Sequence, residues 1–264
     1  MLSVDNLTVH VDGHTLVDSV TFKAQPGEVT GLIGPNGAGK STVLGAVAGD
    51  IDFSGEIRIG GLSPKAPPRE LARQRAVMLQ DVAVSFEFLV RDVVAMGRRP
   101  WGGTPQAKLD DQFIEAALET AGVAHLAGRD ISTLSGGERA RVAFARVLAQ
   151  NAPIVLLDEP TAALDIRHQE QLLGSVKALS REAGVTAVVV LHDLNAAAAY
   201  CDHIVCVSCG GIAAQGRVAE VFTGATLSEV YGWPISVNEL QVQPQRATHT
   251  INPLFSHQLE DFHV

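Results

Sequence analysis

The sequence predicts an α/β fold in which a mainly parallel sheet is combined with an antiparallel β layer and a helical subdomain. A glycine-rich segment, residues 34–41, links a strand-like apolar run to a helix-like run. Residues 154–157 form a continuous apolar run that ends at Asp158, as expected for a strand buried on both faces of a parallel sheet. Helical periodicity prevails at residues 90–150, and βα alternation then resumes. Together these features favour one α/β domain.

The first elements surround the glycine-rich segment. Apolar and polar residues alternate at residues 2–9, 15–22 and 56–59, which predicts short strands. Residues 28–33 predict a buried strand directly before the segment, and residues 40–48 predict a helix directly after it. Strand, glycine loop and helix therefore follow one another in this order.

The later elements are mostly helices and buried strands. Residues 110–121 predict an amphipathic helix with Phe113 and Leu118 on its apolar face, and residues 138–150 predict another helix. Strands are expected at residues 187–191 and 204–207. We expect one domain over residues 1–264, with a core at 1–79 and 151–225, a helical subdomain at about 80–150 and a C-terminal extension at about 226–264.

The glycine-rich segment matches the pattern G-x-x-x-x-G-K-[ST]. Glycines let successive backbone N–H groups turn inward around phosphate oxygens at a helix N-terminus. Lys40 would place a positive charge at the β- and γ-phosphates, and Ser41 would offer a hydroxyl to Mg²⁺. The alternative is a tight strand-to-helix connection with a solvated Lys40. The expected nucleotide-binding residues of this loop are Gly34, Pro35, Asn36, Gly37, Ala38, Gly39, Lys40, Ser41 and Thr42.

Two carboxylates follow the apolar run at residues 154–157. Asp158 is placed to hold Mg²⁺, as a Walker-B aspartate does, and Glu159 can act on the water that attacks the γ-phosphate. The alternative is a surface strand end or a helix N-cap. Ser41, Gln80 and Asp158 form the predicted Mg²⁺ set.

Four further segments give the pattern its specificity. The sequence Leu-Ser-Gly-Gly-Glu at residues 134–138 resembles the signature of ATP-binding-cassette (ABC) proteins. Gln80 resembles the Q-loop glutamine of these proteins, and residues 163–165 resemble their D-loop. His192 resembles their switch histidine. To about residue 225 the chain is similar to the nucleotide-binding subunit of an ABC transporter, a P-loop NTPase with a RecA-like core. Alone, Gln80 and His192 could be polar strand ends, and Ser135 a helix N-cap.

The resemblance implies a site shared between two copies of the chain. Each ATP would lie between the Walker loop of one subunit and Ser135, Gly136 and Gly137 of its partner, where a free serine hydroxyl and glycine N–H groups at a helix N-terminus would receive the γ-phosphate. Glu159 would be the general base, His192 would contact the γ-phosphate, and Gln80 would sense water and Mg²⁺.

The residue that contacts the adenine is less clear from the sequence. Family members usually stack the base on an aromatic residue of the first strand, but Val9 or His10 falls near that position. Either His10 or His14 replaces the aromatic residue, or both histidines are exposed on the first hairpin.

Residues 85–101 indicate the transport system. The F-x-F element at Phe86 and Phe88, and the V-V-A-x-G-R sequence that ends at Arg98, are similar to importers of haem, ferric siderophores and cobalamin, and most of all to haemin importers. We expect Phe86 and Arg98 to contact the permease; the alternative places Phe86 and Phe88 in the subdomain core. Implied partners are two permease subunits and, indirectly, a periplasmic or extracellular substrate-binding protein. A soluble ATPase of iron–sulfur assembly is the alternative function.

The composition limits the possible partners of the chain and its position relative to the membrane. The chain has 264 residues, of which 46% are hydrophobic and only 5% aromatic. Its net charge of −9 argues against nucleic acid as a partner, because the phosphate backbone attracts basic proteins. No signal sequence or span-length apolar run is seen, so a chain that is neither secreted nor embedded in the membrane is expected. The resemblance to ABC transporters implies a peripheral subunit on the cytoplasmic face of the membrane. Cys206 is predicted to be a small buried residue and Cys209 a turn residue, rather than half of a zinc site. The tail histidines His249, His257 and His263 are expected on a surface extension or at a dimer contact, rather than as haem ligands.

Overall fold

Two sheets organise the chain in the computed structural model, which describes residues 1–79, 88–238 and 252–255. The strands are β1 (Leu2–Val11), β2 (His14–Ala24), β3 (Val29–Ile33), β4 (Ser54–Ile59), β5 (Arg75–Met78), β6 (Ile154–Asp158), β7 (Thr186–Val190), β8 (His203–Ser208) and β9 (Gly211–Arg217). The helices are α1 (Lys40–Ala48), α2 (Pro68–Gln74), α3 (Val90–Ala95), α4 (Asp110–Thr120), α5 (Gly136–Gln150), α6 (Ile166–Ala183), α7 (Leu194–Tyr200), α8 (Val218–Val221) and α9 (Gly224–Tyr231).

The antiparallel sheet has the order β2-β1-β4. Its hairpin turns at Asp12 and Gly13, whose φ angles of 49° and 79° match the two left-handed positions of a type I′ turn. Val11 pairs with His14 across this turn, and Val9 pairs with Val17. The Asp-Gly pair thus sets the register of the hairpin.

The six-stranded sheet has the order β5-β6-β7-β3-β8-β9, parallel except for β9. Register places Asp158 of β6 beside Val190 of β7, and Val190 beside Leu32 of β3. The carboxyl ends of three adjacent strands therefore meet at one edge, where open parallel sheets bind ligands.

Alternate residues of the central strands enter two different cores. On β6, Val155 and Leu157 pack in the core formed with α3–α7, whereas Ile154 and Leu156 pack with α1 and the antiparallel sheet. Every residue of β3, β6 and β7 is buried, which explains their continuous apolar sequence. The predicted α/β fold, with its antiparallel layer and helical insert, is confirmed.

The helical segment between β5 and β6 is packed closely. A 3₁₀ turn at Met96–Trp101 follows α3 and crosses the C-terminal part of α5. A Cβ added to Gly97 would lie 2.3 Å from the backbone oxygen of Arg146, so only glycine permits this approach. The boundaries of core, helical subdomain and extension stay a prediction.

Other features concern the cysteines and membrane crossing. Cys206 is fully buried in β8, and Cys209 is exposed in the β8–β9 turn with a φ of 49°, as predicted. Among the described residues, no helix has the length and apolar character needed to cross a bilayer.

Candidate functional site

A cavity of 510 Å³ opens at the carboxyl edge of β3, β6 and β7. Three chain segments form most of its wall: the glycine-rich loop with the start of α1, the residue after β6, and the loop after β7. Eight of the lining residues belong to the predicted nucleotide site, and the ninth, Leu16, was not predicted. The cavity is lined by Leu16, Asn36, Gly37, Gly39, Lys40, Ser41, Thr42, Glu159 and His192.

The glycine-rich loop depends on backbone conformations that only glycine adopts easily. Gly34 has a φ of 146°, and a Cβ there would lie 2.0 Å from the carbonyl oxygen of Val207. Gly39, at the start of α1, has a φ of 102°. Ala38 is buried, and its carbonyl accepts a hydrogen bond from Gly210 N at 3.2 Å. The glycine-rich loop therefore packs against β8 through Gly34 and is hydrogen bonded to the β8–β9 turn through Ala38.

Lys40 is held inside the loop. Its Nζ donates to the carbonyl oxygens of Gly34 at 2.8 Å and Pro35 at 2.9 Å, and the side chain lines the cavity. Burial lowers the pKa of Lys40, whereas the nearby carboxylates of Glu159 and Asp158 raise it. An anion entering the cavity would favour the charged ammonium in the same way.

Ser41 and Asp158 bring two oxygen-bearing side chains together from distant parts of the chain. Ser41 Oγ donates to Asp158 Oδ1 at 3.2 Å, and Asp158 is only 4% exposed. Burial raises the pKa of Asp158; the hydrogen bond from Ser41 opposes this shift, and the Glu159 carboxylate adds to it. Hydroxyl and carboxylate oxygens are ligands that Mg²⁺ prefers, so this pair fits the predicted metal position.

Glu159 and His192 meet on the other side of the cavity. Glu159 Oε1 contacts His192 Nε2 as an ion pair or hydrogen bond. Glu159 has a φ of 48°, in the left-handed region that glutamate rarely adopts and that is frequent at functional sites. The side chain of Glu159 is 13% exposed and that of His192 43%, so the pair lies at the mouth of the cavity.

The predicted signature residues lie at the start of α5 and do not line this cavity. Glu138 N donates to Ser135 Oγ at 3.3 Å and Ser135 N donates to Glu138 Oε2 at 2.7 Å, which forms a capping box. Ser135 Oγ also donates to Glu138 Oε2 at 2.8 Å. The expectation of a free serine hydroxyl is therefore wrong. Gly136 and Gly137 face Ala163, and a Cβ on Gly137 would lie 3.0 Å from the Ala163 oxygen.

The predicted base contact also needs correction. Val9 is fully buried in the antiparallel sheet, and His10 is exposed and hydrogen bonds through Nδ1 to Thr15 Oγ1 at 3.0 Å. The alternative of exposed hairpin histidines is confirmed for His10 and His14. Leu16, 41% exposed on β2, lines the cavity instead. Periodicity could not reveal Leu16, because its place at the site depends on the packing of β2 against the loop.

The remaining predicted residues have mixed outcomes. Gln80 and Phe86 lie outside the described residues, as do His249, His257 and His263. Arg98 is only 3% exposed, so its expected place on a partner surface is wrong: burial against aromatic rings and carbonyls withdraws it from that surface. Phe88 is 38% exposed and thus does not belong to the subdomain core.

Comparison with known proteins places this geometry in a family. The family model described as "ABC transporter" matches residues 17–162. A Streptomyces coelicolor protein, "Hemin import ATP-binding protein HmuV", is 50% identical over 240 residues, covering 90% of this chain and 85% of that protein. A Nocardia farcinica protein of the same name is 50% identical over 225 residues, covering 84% and 77%.

A solved structure agrees with these relatives. The dimeric post-hydrolysis state of the ATP-binding cassette MJ0796, bound to ADP and Pi, superposes with a TM-score of 0.74 at 26% identity. The match covers 83% of this chain and 99% of that one. The chain belongs to the ABC transporter family.

Proposed function

We propose that this chain is the ATP-hydrolysing subunit of an importer that takes up haemin through a separate membrane permease. The observation that carries the ATPase part is one cavity that gathers Lys40, Ser41, Glu159 and His192, with Asp158 hydrogen bonded to Ser41. Haemin as cargo is supported by the printed names of relatives that are 50% identical to this chain.

Different residues of the cavity would bind the phosphates, hold Mg²⁺ and activate the attacking water. Backbone N–H groups of the glycine-rich loop and the Lys40 ammonium would hold the phosphates of ATP. Ser41 and Asp158, together with Gln80, would hold Mg²⁺, whose charge offsets that of the phosphate oxygens when it is bound. Glu159 would accept the proton of the attacking water, and His192, which contacts Glu159, would orient that carboxylate and reach the γ-phosphate.

The active unit in this proposal is a homodimer. Ser135, Gly136 and Gly137 do not line the cavity of their own chain, which supports a role at the ATP of a second copy. Binding there would require Ser135 Oγ to exchange its hydrogen bond with Glu138 for one with phosphate. Two permease subunits would receive the dimer on the cytoplasmic face of the membrane, and a substrate-binding protein would deliver haemin from the other side.

Glu159→Gln tests the catalytic assignment. We expect ATP binding to be retained and turnover to fall by about 10²–10⁴-fold, because the amide cannot accept the proton of water. ATP affinity and phosphate release are measured on both proteins. Glu229→Gln, an exposed position on α9, is the matched control and should hydrolyse ATP at the wild-type rate. Wild-type turnover in Glu159→Gln would remove this residue from the mechanism.

A separate experiment tests the cargo. The chain is reconstituted in liposomes with a candidate permease and with a binding protein loaded with haemin or with a ferric siderophore. We expect haemin alone to stimulate ATP hydrolysis and to enter the vesicles. Stimulation by the siderophore and not by haemin would contradict the assignment of cargo while leaving the ATPase assignment intact.

A further inference from the structure

A row of aromatic rings and guanidinium groups crosses the helical segment and ends at Phe255, in the C-terminal part of the chain. The Phe255 and Phe113 rings lie 5.9 Å apart and are tilted by 48°. The Arg98 guanidinium lies 4.4 Å from the Phe113 ring centre and 5.5 Å from that of Trp101, and the Arg73 guanidinium lies 5.7 Å from Trp101. We call these five residues the aromatic row. It joins the C-terminal segment, α4, the 3₁₀ turn and α2.

Four residues of the aromatic row are buried, and the fifth, Arg73, is half-buried. Phe255 is 2% exposed, Arg98 3% and Phe113 5%. Arg98 Nε donates to Asp110 Oδ1 at 2.8 Å, so the buried charge is paired. Burial lowers the pKa of Arg98, and Asp110 opposes that shift. A buried cation with a carboxylate partner and two aromatic faces has little freedom to move.

Arg98 and Trp101, in the middle of the aromatic row, hydrogen bond to the C-terminal end of α5. Arg98 Nη1 donates to the carbonyl of Ala149 at 2.8 Å, and Trp101 Nε1 donates to that of Gln150 at 2.7 Å. These are last-turn carbonyls that the helix itself leaves without partners, and a cation there also complements the helix dipole. Gln150 Nε2 in turn donates to the carbonyls of Ala72 and Arg75, which anchors the helix end to α2 and β5.

The opposite end of α5 carries the signature residues. Its 15 residues form one continuous helix that spans about 22 Å, so a tilt at one end moves the other end. Ser135, Gly136 and Gly137 begin the helix, where the proposed dimer needs them to meet a partner's ATP. A change in the aromatic row would therefore displace these residues while leaving the glycine-rich loop of the same chain in place.

We propose that Phe255 is a positioning residue for the reaction: by packing on Phe113 it holds the aromatic row, and through it α5, in the orientation in which the signature residues act on the partner's ATP. This inference rests on the proposed function, because it requires ATP hydrolysis in a dimer. It assigns a positioning role to a residue 120 positions after Ser135 in sequence, whose side chain packs in the same hydrophobic core as α4 and α5.

The test compares Phe255→Ala and Phe255→Leu with Phe22→Ala and Phe22→Leu in the full chain. Phe22 is similarly buried, at 3% exposed, but lies on β2 away from the aromatic row. For each protein we measure the unfolding temperature, the Kd of a fluorescent ATP analogue and the kcat and KM of ATP hydrolysis, below the lowest unfolding temperature.

We expect Phe255→Ala to lower kcat by about 10-fold or more and Phe255→Leu, which keeps most of the apolar volume, by about threefold, with Kd unchanged. The Phe22 variants should lower the unfolding temperature and keep kcat. If an alanine variant does not fold, the two leucine variants decide. Equal kcat in the Phe255 and Phe22 variants, or a Kd that rises in step with the loss of kcat, would overturn the inference. Absence of hydrolysis in the wild type would instead contradict the proposed function.

Discussion

At the scale of single residues, the walls of the cavity differ in chemistry. Lys40, Ser41 and Glu159 make one side polar, whereas Leu16 is the large apolar side chain that reaches the cavity from β2. The carbonyl of Leu16 packs on the loop, since a Cβ on Gly39 would lie 3.0 Å from that oxygen. A partly exposed leucine fixed in this way can cover the face of a base but offers no ring for stacking.

Leu16→Ala should therefore weaken the binding of ATP by about threefold to tenfold and leave the binding of tripolyphosphate unchanged. The loss reflects apolar contact with the base, which tripolyphosphate lacks. Calorimetric titration with each ligand measures both affinities. Val11→Ala, an exposed position on the same hairpin that does not line the cavity, is the control. Equal weakening for both ligands would show that Leu16 acts on the loop and not on the base.

The three cysteines differ in their environment and hence in reactivity. Burial raises the pKa of the Cys201 thiol to about 12 and that of Cys206 to about 11, whereas Cys209 is exposed. Because the thiolate is the reactive form, buried thiols with raised pKa values should react slowly.

At pH 8 we expect iodoacetamide to modify Cys209 in the native protein and all three cysteines after denaturation, as counted by mass spectrometry. Cys209→Ser should abolish the native labelling. Rapid modification of Cys206 in the native state would contradict its burial in β8.

At the scale of elements, the strongest constraint is the crossing of the 3₁₀ turn over α5. Gly97 allows the two backbones to touch, and Arg98 and Trp101, one and four residues later, then reach the helix carbonyls. A side chain at position 97 would meet backbone atoms, which cannot rotate away as a flexible side chain can.

Gly97→Ala should lower the free energy of unfolding by about 1–3 kcal/mol, because overpacking forces the turn away from α5. Gly128→Ala is a matched control, since a Cβ there meets nothing within 4 Å. That variant should change stability by about 0.5 kcal/mol or less. Urea unfolding of both proteins measures the difference, and equal stabilities would contradict the close packing at residue 97.

At the scale of the whole molecule, the signature residues of the proposed site do not line the cavity. The loop, Glu159 and His192 converge at the edge of the sheet, whereas the signature residues lie at the start of α5 and pack against Ala163. Two copies related by a twofold axis would exchange these two surfaces and complete two equal sites.

Mixing two inactive variants tests this arrangement. Lys40→Ala disables the loop and Ser135→Arg disables the signature, so each homodimer should be inactive. A mixed dimer pairs the intact loop of one chain with the intact signature of the other. On random reassociation about one quarter of the sites should be active, and phosphate release should recover accordingly. No recovery after verified subunit exchange would show that both halves act within one chain.

The sequence by itself determined the local elements and the chemical identity of the site. The helix at Lys40–Ala48 and the buried strand at Ile154–Asp158 follow from spacing and apolar runs, because helices and strands impose periods that short segments display. The loop residues, Asp158, Glu159 and His192 were located because each lies at or just beyond the end of a buried strand. Gln80, the other predicted Mg²⁺ ligand, lies outside the described residues.

The tertiary structure alone decided which distant residues meet. Leu16 replaces Val9 at the cavity because of how β2 packs on the loop, and Arg98 is buried because Phe113 and Trp101 enclose it. Ser135 is engaged by Glu138, although the motif suggested a free hydroxyl. Phe255 joins the aromatic row from the far end of the chain. Such contacts depend on strand order and side-chain packing between remote segments, which no local period in the sequence encodes.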